Sequence, residues 1–371
     1  MECDRIREGR TEVLVPRQDA LAQFPPGTAR VFYNPKAALS RDATVILLRL
    51  LQPREYLDTM GATGIRGLRA AVEASVPVVI NDRDPMAAEL IRENIAFAGV
   101  PVESLDQDAN VLLSSRRFEA VDLDPFGTPA PYLDSACRSA RRYLFATATD
   151  TAPLCGAHRK AGMRRYSVQL VKTEYHAEVG LRTLLGFIAR SLARYDRGME
   201  PLLCFSHQHF HRVHLRVLPG AAKADATLGR VGFVLHCQKC LHREEAFGLA
   251  PSCDPCPRCG GPLTPIGPLW LGPVNDPATL EGISRLLPDN TLAESPALTR
   301  LVRLLREESP TSTHYDYHVV ARNLRVSPPP METVLGRLEA SGYRASRAHY
   351  SGTVLKTDAP IGEVERAIGG E

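Results

Sequence analysis

Four cysteines in the order Cys237-x2-Cys240-x15-Cys256-x2-Cys259 form two C-x-x-C knuckles at a separation that suits tetrahedral Zn²⁺. Pro257 and Gly260-Gly261 permit the tight turn of a zinc ribbon at the second knuckle. Four protein ligands leave no open coordination position, so the expected ion is structural. Cys253 competes, because Cys253-x2-Cys256 is also a knuckle, but the glycines after Cys259 favour the Cys256/Cys259 pair. A redox role is weaker, since neither pair opens a helix after a strand.

A second constellation lies upstream. The strand ending at Asp58 runs into the turn Gly61-Ala-Thr-Gly64-Ile-Arg-Gly67, and Asp82 closes the next strand. A carboxylate ~20 residues beyond such a turn accepts the hydroxyls of a ribose. Asp108, followed by Ala109, comes after the third strand, where a carboxylate can meet an adenine amino group. The turn departs from the dinucleotide fingerprint, so Gly61, Asp82 and Asp108 together describe an S-adenosylmethionine pocket rather than an NAD site. Asp124-Pro125-Phe126-Gly127 follows another strand and lies at the carboxyl edge of the same sheet. An exocyclic amine is a poor nucleophile because its lone pair is delocalised into the ring. A carboxylate (Asp124) and a carbonyl (Pro125) accepting its two N–H bonds free that lone pair, while Phe126 stacks on an extruded base. Guanine offers N1–H and N2–H side by side, which suits the acceptor-only Asp124. Asp122 is a second acceptor or a structural residue.

The elements that must position these groups alternate. Strands are expected at Arg54–Asp58, Val76–Asp82, Val102–Leu105 and Phe118–Asp124, with helices at Ile65–Ser75 and after Pro85, which implies a doubly wound parallel sheet. A long helix over Glu174–Tyr195 and extended strands over Leu202–Leu218 and Val231–His236 follow. Met199–Pro268 reads as the sheet's last hairpin carrying the metal-stapled segment, about 237–262. Beyond it, helices at Leu298–Glu307, Val319–Leu324 and Met331–Gly342 precede strands at Arg344–His349 and Thr353–Thr357, a winged-helix-like α+β order. The boundary falls at 273, giving domains 1–273 and 274–371.

Composition narrows the setting. Among 371 residues, 45 Lys and Arg face 42 Asp and Glu, for a net charge of +3, so this is no histone-like polycation. Basic patches are local: Cys155–Lys172 holds Arg159, Lys160, Arg164, Arg165 and Lys172 without an acid, and the tail from Arg322 to Lys356 is basic, both suited to phosphate contacts. The longest apolar run, Ala43–Leu51, is interrupted by Arg49 and is too short to span a bilayer. The N-terminus lacks the apolar core of a signal peptide, and the nine cysteines suit a cytoplasmic chain better than a disulfide framework. His207, His209, His211 and His214 read as a polar surface strand, and Cys155 as packing.

Several segments together resemble the tRNA guanine-26 N2-dimethyltransferases. These are Phe32-Tyr-Asn-Pro35 with Arg41-Asp42, Ala62-Thr-Gly-Ile-Arg-Gly67, Asn81-Asp82, Asp122-Leu-Asp-Pro-Phe-Gly127, Thr149-Asp150 and Ala152-Pro-Leu-Cys-Gly-Ala157. Glu178-Val-Gly with Arg182, His209 with Arg212, Trp270-Leu-Gly-Pro273, Tyr315-Asp-x-His318, Gly342-Tyr343 and Lys356-Thr357 extend the match over nearly the whole chain. The resemblance implies a Rossmann-like S-adenosylmethionine-dependent methyltransferase sheet and two methyl transfers to one guanine amine of tRNA, at nucleotide 26 and, in some relatives, also at its neighbour. It also implies cofactor contacts at Arg41, Arg66, Asp82, Asp108 and Ala109, and Asp124 as catalytic acceptor. The cysteine segment is not shared by all relatives and stands on its own chemistry. No obligate protein partner is inferred. The competing readings are an exocyclic-amine methyltransferase acting on another RNA or DNA, and a non-catalytic zinc-containing RNA-binding protein.

Overall fold

A short strand that ends in a carboxylate and turns through glycine opens the central sheet. The structure is a computed structural model that describes residues 2–17, 31–248, 250–251, 254–289 and 291–370. β1 (Cys3–Glu8) and β2 (Thr11–Pro16) form an antiparallel hairpin, and α1 (Ala38–Leu51) follows, buried on all sides from Ala38 to Leu48. The alternation then runs β3 (Tyr56–Asp58), α2 (Ile65–Ala74), β4 (Val78–Asn81), α3 (Pro85–Ala98), β5 (Val102–Leu105), α4 (Ala109–Ser115), β6 (Ala120–Leu123), α5 (Ala130–Ser139) and β7 (Tyr143–Ala148). β4 and β7 are buried along their whole length, as strands covered on both faces must be. α3 has the punctuation its sequence announces: the Asp84 carboxylate accepts from the Met86 N–H, Pro85 fills the first turn, and Gly99 ends the helix at φ 64°.

These strands pair in parallel in the order β5-β4-β3-β6-β7. The order reverses between β3 and β6, and ligands of open α/β sheets bind at the carboxyl ends of strands flanking such a switch. After α6 (Thr151–Leu154), α7 (Arg159–Tyr166) and α8 (His176–Ala193), β8 (Arg197–His207) and β9 (Phe210–Pro219) complete a seven-stranded sheet, order β5-β4-β3-β6-β7-β9-β8. The single strand expected over Leu202–Leu218 is thus two. Gln208 makes the turn at φ 47°, a left-handed conformation that no Gly or Pro advertises.

After α9 (Ala221–Leu228), β10 (Val231–His236) is the centre of a separate three-stranded sheet, β11-β10-β12, with β11 at Arg243–Phe247 and β12 at Thr264–Trp270. The metal segment therefore belongs to this small sheet, not to the last hairpin of the large one. The remaining elements are α10 (Pro277–Leu286), α11 (Ser295–Glu307), β13 (Tyr315–Asp316), α12 (Tyr317–Leu324), α13 (Met331–Ala340), β14 (Ala345–Arg347), β15 (Val354–Thr357) and α14 (Ile361–Gly369). The last six surround a core that includes Val320, Val334, Leu338, Leu355 and Val364. Asp316 caps α12 by accepting from the His318 and Val319 N–H groups, which gives the Tyr-Asp-x-His segment a structural meaning.

Contacts divide the chain into two units, neither of them continuous and neither ending at residue 273. The first runs through Thr147 and adds His214–Val217 and Pro277–Arg303; the second comprises Ala148–Val213, Leu218–Asp276 and Leu304 onward. Within the first, the Ala293 and Glu294 N–H groups donate to Asp42 at 3.2 and 2.5 Å, and Gly282 packs on Leu50. The segment after 273 is therefore drawn back onto α1.

Candidate active site and metal centre

At the switch point, β3 and β6 place Asp58 and Asp122 opposite one another in register. Arg66, in the first turn of α2, is nearly buried and binds the Asp124 carboxylate through Nη2. Its Nη1 lies 4.0 Å from Asp122 and donates to Thr44 Oγ1 at 3.1 Å. Burial disfavours the charge of Arg66, but Asp124 and Asp122 overcome that and hold the guanidinium charged well above its usual range. Asp122 is buried and accepts from the Tyr56 hydroxyl at 2.6 Å, so its setting is structural. Burial pushes Asp58 up to about 7; Arg66 opposes the rise, and Asp122 and Asp124 reinforce it.

Asp124 keeps 29% of its side chain exposed. Pro125 is buried, and Phe126 projects with 87% exposure, extreme for a phenylalanine. Its ring meets Phe32 edge to face, centroids 5.7 Å apart. Phe32 was no candidate from sequence; the signal was an aromatic side chain opening the Phe-Tyr-Asn-Pro segment.

The glycine turn is explained by packing. A Cβ on Gly61 or Gly67 would lie 2.4 or 2.5 Å from the Ile80 side chain, and Gly64 has φ +80°. The Ala62 N–H donates to Asp82 Oδ2 at 2.8 Å and the Asp84 N–H to Oδ1 at 3.0 Å, which fixes a half-buried carboxylate at the end of β4. Asp108 is exposed and caps α4 through the Asn110 and Val111 N–H groups, with Ala109 buried behind it. This donor set fits S-adenosylmethionine: an oriented carboxylate beside the strand end for the ribose, and a second for an adenine amine. Arg41 is held elsewhere in the same unit. Its Nε and Nη2 donate to Glu8 at 2.6 and 2.5 Å, and Nη2 also donates to the Asn34 carbonyl. Burial raises Glu8, but Arg41 and Arg69 outweigh it and keep the carboxyl below its usual range.

In the second unit, Cys237, Cys240, Cys256 and Cys259 converge with all four Sγ atoms within 4.8 Å of one another. Cys237 and Cys259 are 3.5 Å apart and Cys240 and Cys256 3.6 Å. Zn–S bonds of about 2.3 Å in a tetrahedron demand S···S separations of about 3.8 Å, so the thiols fit Zn²⁺. The Cys256 N–H donates to the Gly261 carbonyl and the Gly260 N–H to Cys256, with Gly260 at φ 68°. Cys253 lies outside the described residues.

The histidine strand is a polar surface only in part, with His209 exposed and His207 half-buried. His211 and His214 are buried: His211 Nδ1 is 2.7 Å from Ser206 Oγ, its Nε2 is 3.6 Å from Cys155 Sγ, and His214 lies against Thr44 and Phe145. Burial pushes His211 down to about 3 and Cys155 up to about 12, and both pack against Gly180, where a Cβ would lie 2.4 Å from His211 Nε2 and 2.7 Å from Cys155 Sγ. Sequence reasoning also missed a buried hub in this unit. Glu178 Oε1 accepts from Arg182 Nε (3.0 Å) and Lys356 Nζ (2.6 Å), and Oε2 meets His314 Nδ1 (3.0 Å). Lys356 also reaches Glu308 at 2.8 Å, which His349 Nδ1 meets at 2.7 Å.

Sheet, switch-point carboxylates and exposed aromatic define a Rossmann-like methyltransferase of the kind that acts on amino groups of bases. The family profile of N2,N2-dimethylguanosine tRNA methyltransferases matches residues 9–369, and the chain belongs to this family. It is 56% identical over 370 residues to a tRNA (guanine(26)-N(2))-dimethyltransferase of Methanoculleus marisnigri, covering 100% of both chains. It is 57% identical over 368 residues to the Methanosphaerula palustris protein of the same name, covering 99% of each. The structure of Trm1 from Pyrococcus horikoshii in complex with S-adenosyl-L-methionine superposes with a TM-score of 0.89 at 34% identity, covering 98% of this chain and 99% of that one.

Proposed function

We propose that this protein transfers methyl groups from S-adenosylmethionine to N2 of guanine-26 in tRNA, twice on the same nitrogen. The observation that carries this reading is the Arg66–Asp124 pair beside the projecting Phe126 at the sheet's switch point. Arg66 pairs with Asp124 and aims it, so that its carboxylate accepts guanine's N–H donors; Pro125 offers its carbonyl, and Phe126 with Phe32 contacts the extruded base. The bound cofactor supplies an electrophilic methyl group. Each transfer leaves an ammonium whose proton Asp124 can accept. Gly61, Arg66, Asp82, Asp108 and Ala109 form the cofactor side, and Arg41 supports it from its clamp on Glu8. Zinc is structural in this reading, and the enzyme works in the cytoplasm; among the described residues no helix is long and apolar enough to cross a membrane.

The C-terminal region, 274–371, contributes tRNA affinity. Its cations are fewer than its composition suggests. Arg344 pairs with Asp358, Arg347 with Glu332, and Lys356 is buried, whereas Arg322 and Arg325 are exposed and form the candidate phosphate contacts. The test is to incubate the full chain with unmodified tRNA and methyl-labelled S-adenosylmethionine, then map modified nucleosides by mass spectrometry. N2,N2-dimethylguanosine at nucleotide 26 is the expected product. Label on another base, or on no base, would overturn the reading.

A further inference from the structure

Helix α7 carries charges that the methyl-transfer site does not use. Arg159, Lys160 and Arg164 are exposed, and none has an ion-pair partner among the described residues. Arg165, on the same helix, is by contrast paired with Asp150 at 3.0 Å. The three cations border a hollow of about 480 Å³, completed by Met163, Val168, Gln169, Leu170 and Val171, with no carboxylate in its wall. Met163 stands 54% exposed among them, while Val168, Leu170 and Val171 are buried and form the floor.

The floor is rigid. The Gln169 N–H and C=O are both bonded to Gly267, at 2.8 and 2.9 Å. Gly162 lets the helix close on Pro153, whose carbonyl a Cβ there would approach to 2.8 Å. The volume lies in the range of formed ligand sites. Three like charges without a counter-charge, beside an exposed apolar residue, suit a partner that brings both anionic groups and flat apolar faces. A single-stranded nucleic acid does so, binding through phosphates on cations and through stacked bases.

We propose that α7 and the 168–171 segment hold an unpaired stretch of the tRNA, one unstacked base lying in the hollow against Met163 and its flanking phosphates on Arg159, Lys160 and Arg164. This rests on the tRNA reading above and adds a second nucleotide-holding site to it. The exposed Gln169 amide offers a donor and an acceptor to the base edge.

Three full-length variants test it: the triple reversal Arg159→Glu/Lys160→Glu/Arg164→Glu, Met163→Ala, and a chain with photoreactive p-benzoylphenylalanine at position 163. tRNA affinity over a salt series, KM for tRNA and S-adenosylmethionine affinity are measured. The triple reversal should weaken tRNA binding about 100-fold or more, and lower the salt slope by about 2, the value for three contacts on a single strand. Met163→Ala should weaken binding roughly tenfold with the slope unchanged, as loss of a base-stacking contact does. KM for tRNA should rise in both while cofactor affinity stays at the wild-type value. Irradiation should cross-link position 163 to one unpaired nucleotide, a result that decides even if the triple variant fails to fold. Wild-type affinity and slope in a folded triple variant would overturn the proposal, as would cross-links that are absent, scattered over duplex regions, or made to a protein. A wild-type enzyme that methylates no tRNA would overturn the functional reading itself, before any variant is compared.

Discussion

Asp124 holds a buried arginine with one side and faces solvent with the other, which makes Asp124→Asn an informative substitution. The change is nearly isosteric, yet the new amide sets an N–H donor against guanine's donors and removes the charge that stabilises the forming ammonium. Loss of a preorganised group of this kind costs roughly 10²–10³ in rate, and single-turnover methylation should fall by that factor. Arg66 still has Asp122 at 4.0 Å, and Asp82 and Asp108 are untouched, so equilibrium binding of S-adenosylmethionine should be unchanged. Near-normal single-turnover rates would reduce Asp124 to a neutral acceptor. The Asp-Pro-Phe-Gly run was legible in sequence because acidic, imino and aromatic residues at a strand end have few other uses together. Phe32 was not, since nothing local says which of two adjacent aromatics faces outward.

The zinc knuckles show how an element without a core is built. Cys237 and Cys256 are buried with Phe233, Leu235 and Leu263, and Arg258, between the second pair, donates to the Cys240 carbonyl at 3.0 Å and pairs with Glu365 of α14. Atomic spectroscopy should find one equivalent of zinc in the wild type and none in Cys237→Ser or Cys259→Ser, and hydrogen exchange in α14 should rise in both variants. Cys253→Ser should keep the metal; loss there with retention in Cys256→Ser would reverse the ligand assignment. Spacing revealed this site because ligand geometry is local. It also revealed the strand–helix alternation from residue 54 to 124, where β-branched runs and caps are local signals. The turn at Gln208 and the separate sheet around β10 were hidden, because each depends on pairing between distant segments.

Within the second unit, buried charges join segments that are distant in the sequence. Burial opposes ionisation of Glu178 and Glu308, but Lys356, reinforced by Arg182 and His314 at Glu178 and by His349 at Glu308, keeps both carboxyls depressed, Glu308 to about 2. A carboxyl whose folded pKa lies below its unfolded value stabilises fully above the unfolded pKa of about 4.3 and loses that contribution as pH falls through the folded one. Urea midpoints should therefore decline below about pH 5 and steeply towards pH 3. Asp58, raised to about 7, acts in the opposite sense between about pH 4 and 7 and flattens the neutral side of the curve. Glu178→Gln should cost about 3 kcal/mol, because it removes the carboxylate shared by Lys356 and Arg182 and leaves Lys356 with Glu308 and Arg182 with backbone carbonyls only. A Glu178→Gln midpoint equal to wild type, or a wild-type midpoint flat down to pH 3, would contradict this account. The Glu178, Arg182, Trp270-Leu-Gly and Lys356 segments belong to this hub, with Arg182 also donating to the Trp270 and Gly272 carbonyls.

The interleaved make-up of the two units has a consequence in time. Asp42 meets Arg69 and Glu178 meets Arg182 early in synthesis, but the Glu294 N–H and the Lys356 ammonium that complete their bonding arrive only late. While the ribosome is still extending the chain, the first 273 residues hold interior acids that have only part of their final set of partners. The first unit needs the chain as far as Arg303 before it can close, and the second needs Lys356. The second unit is therefore completed only at the end of synthesis, and the few residues around Lys356 act as its final stitch.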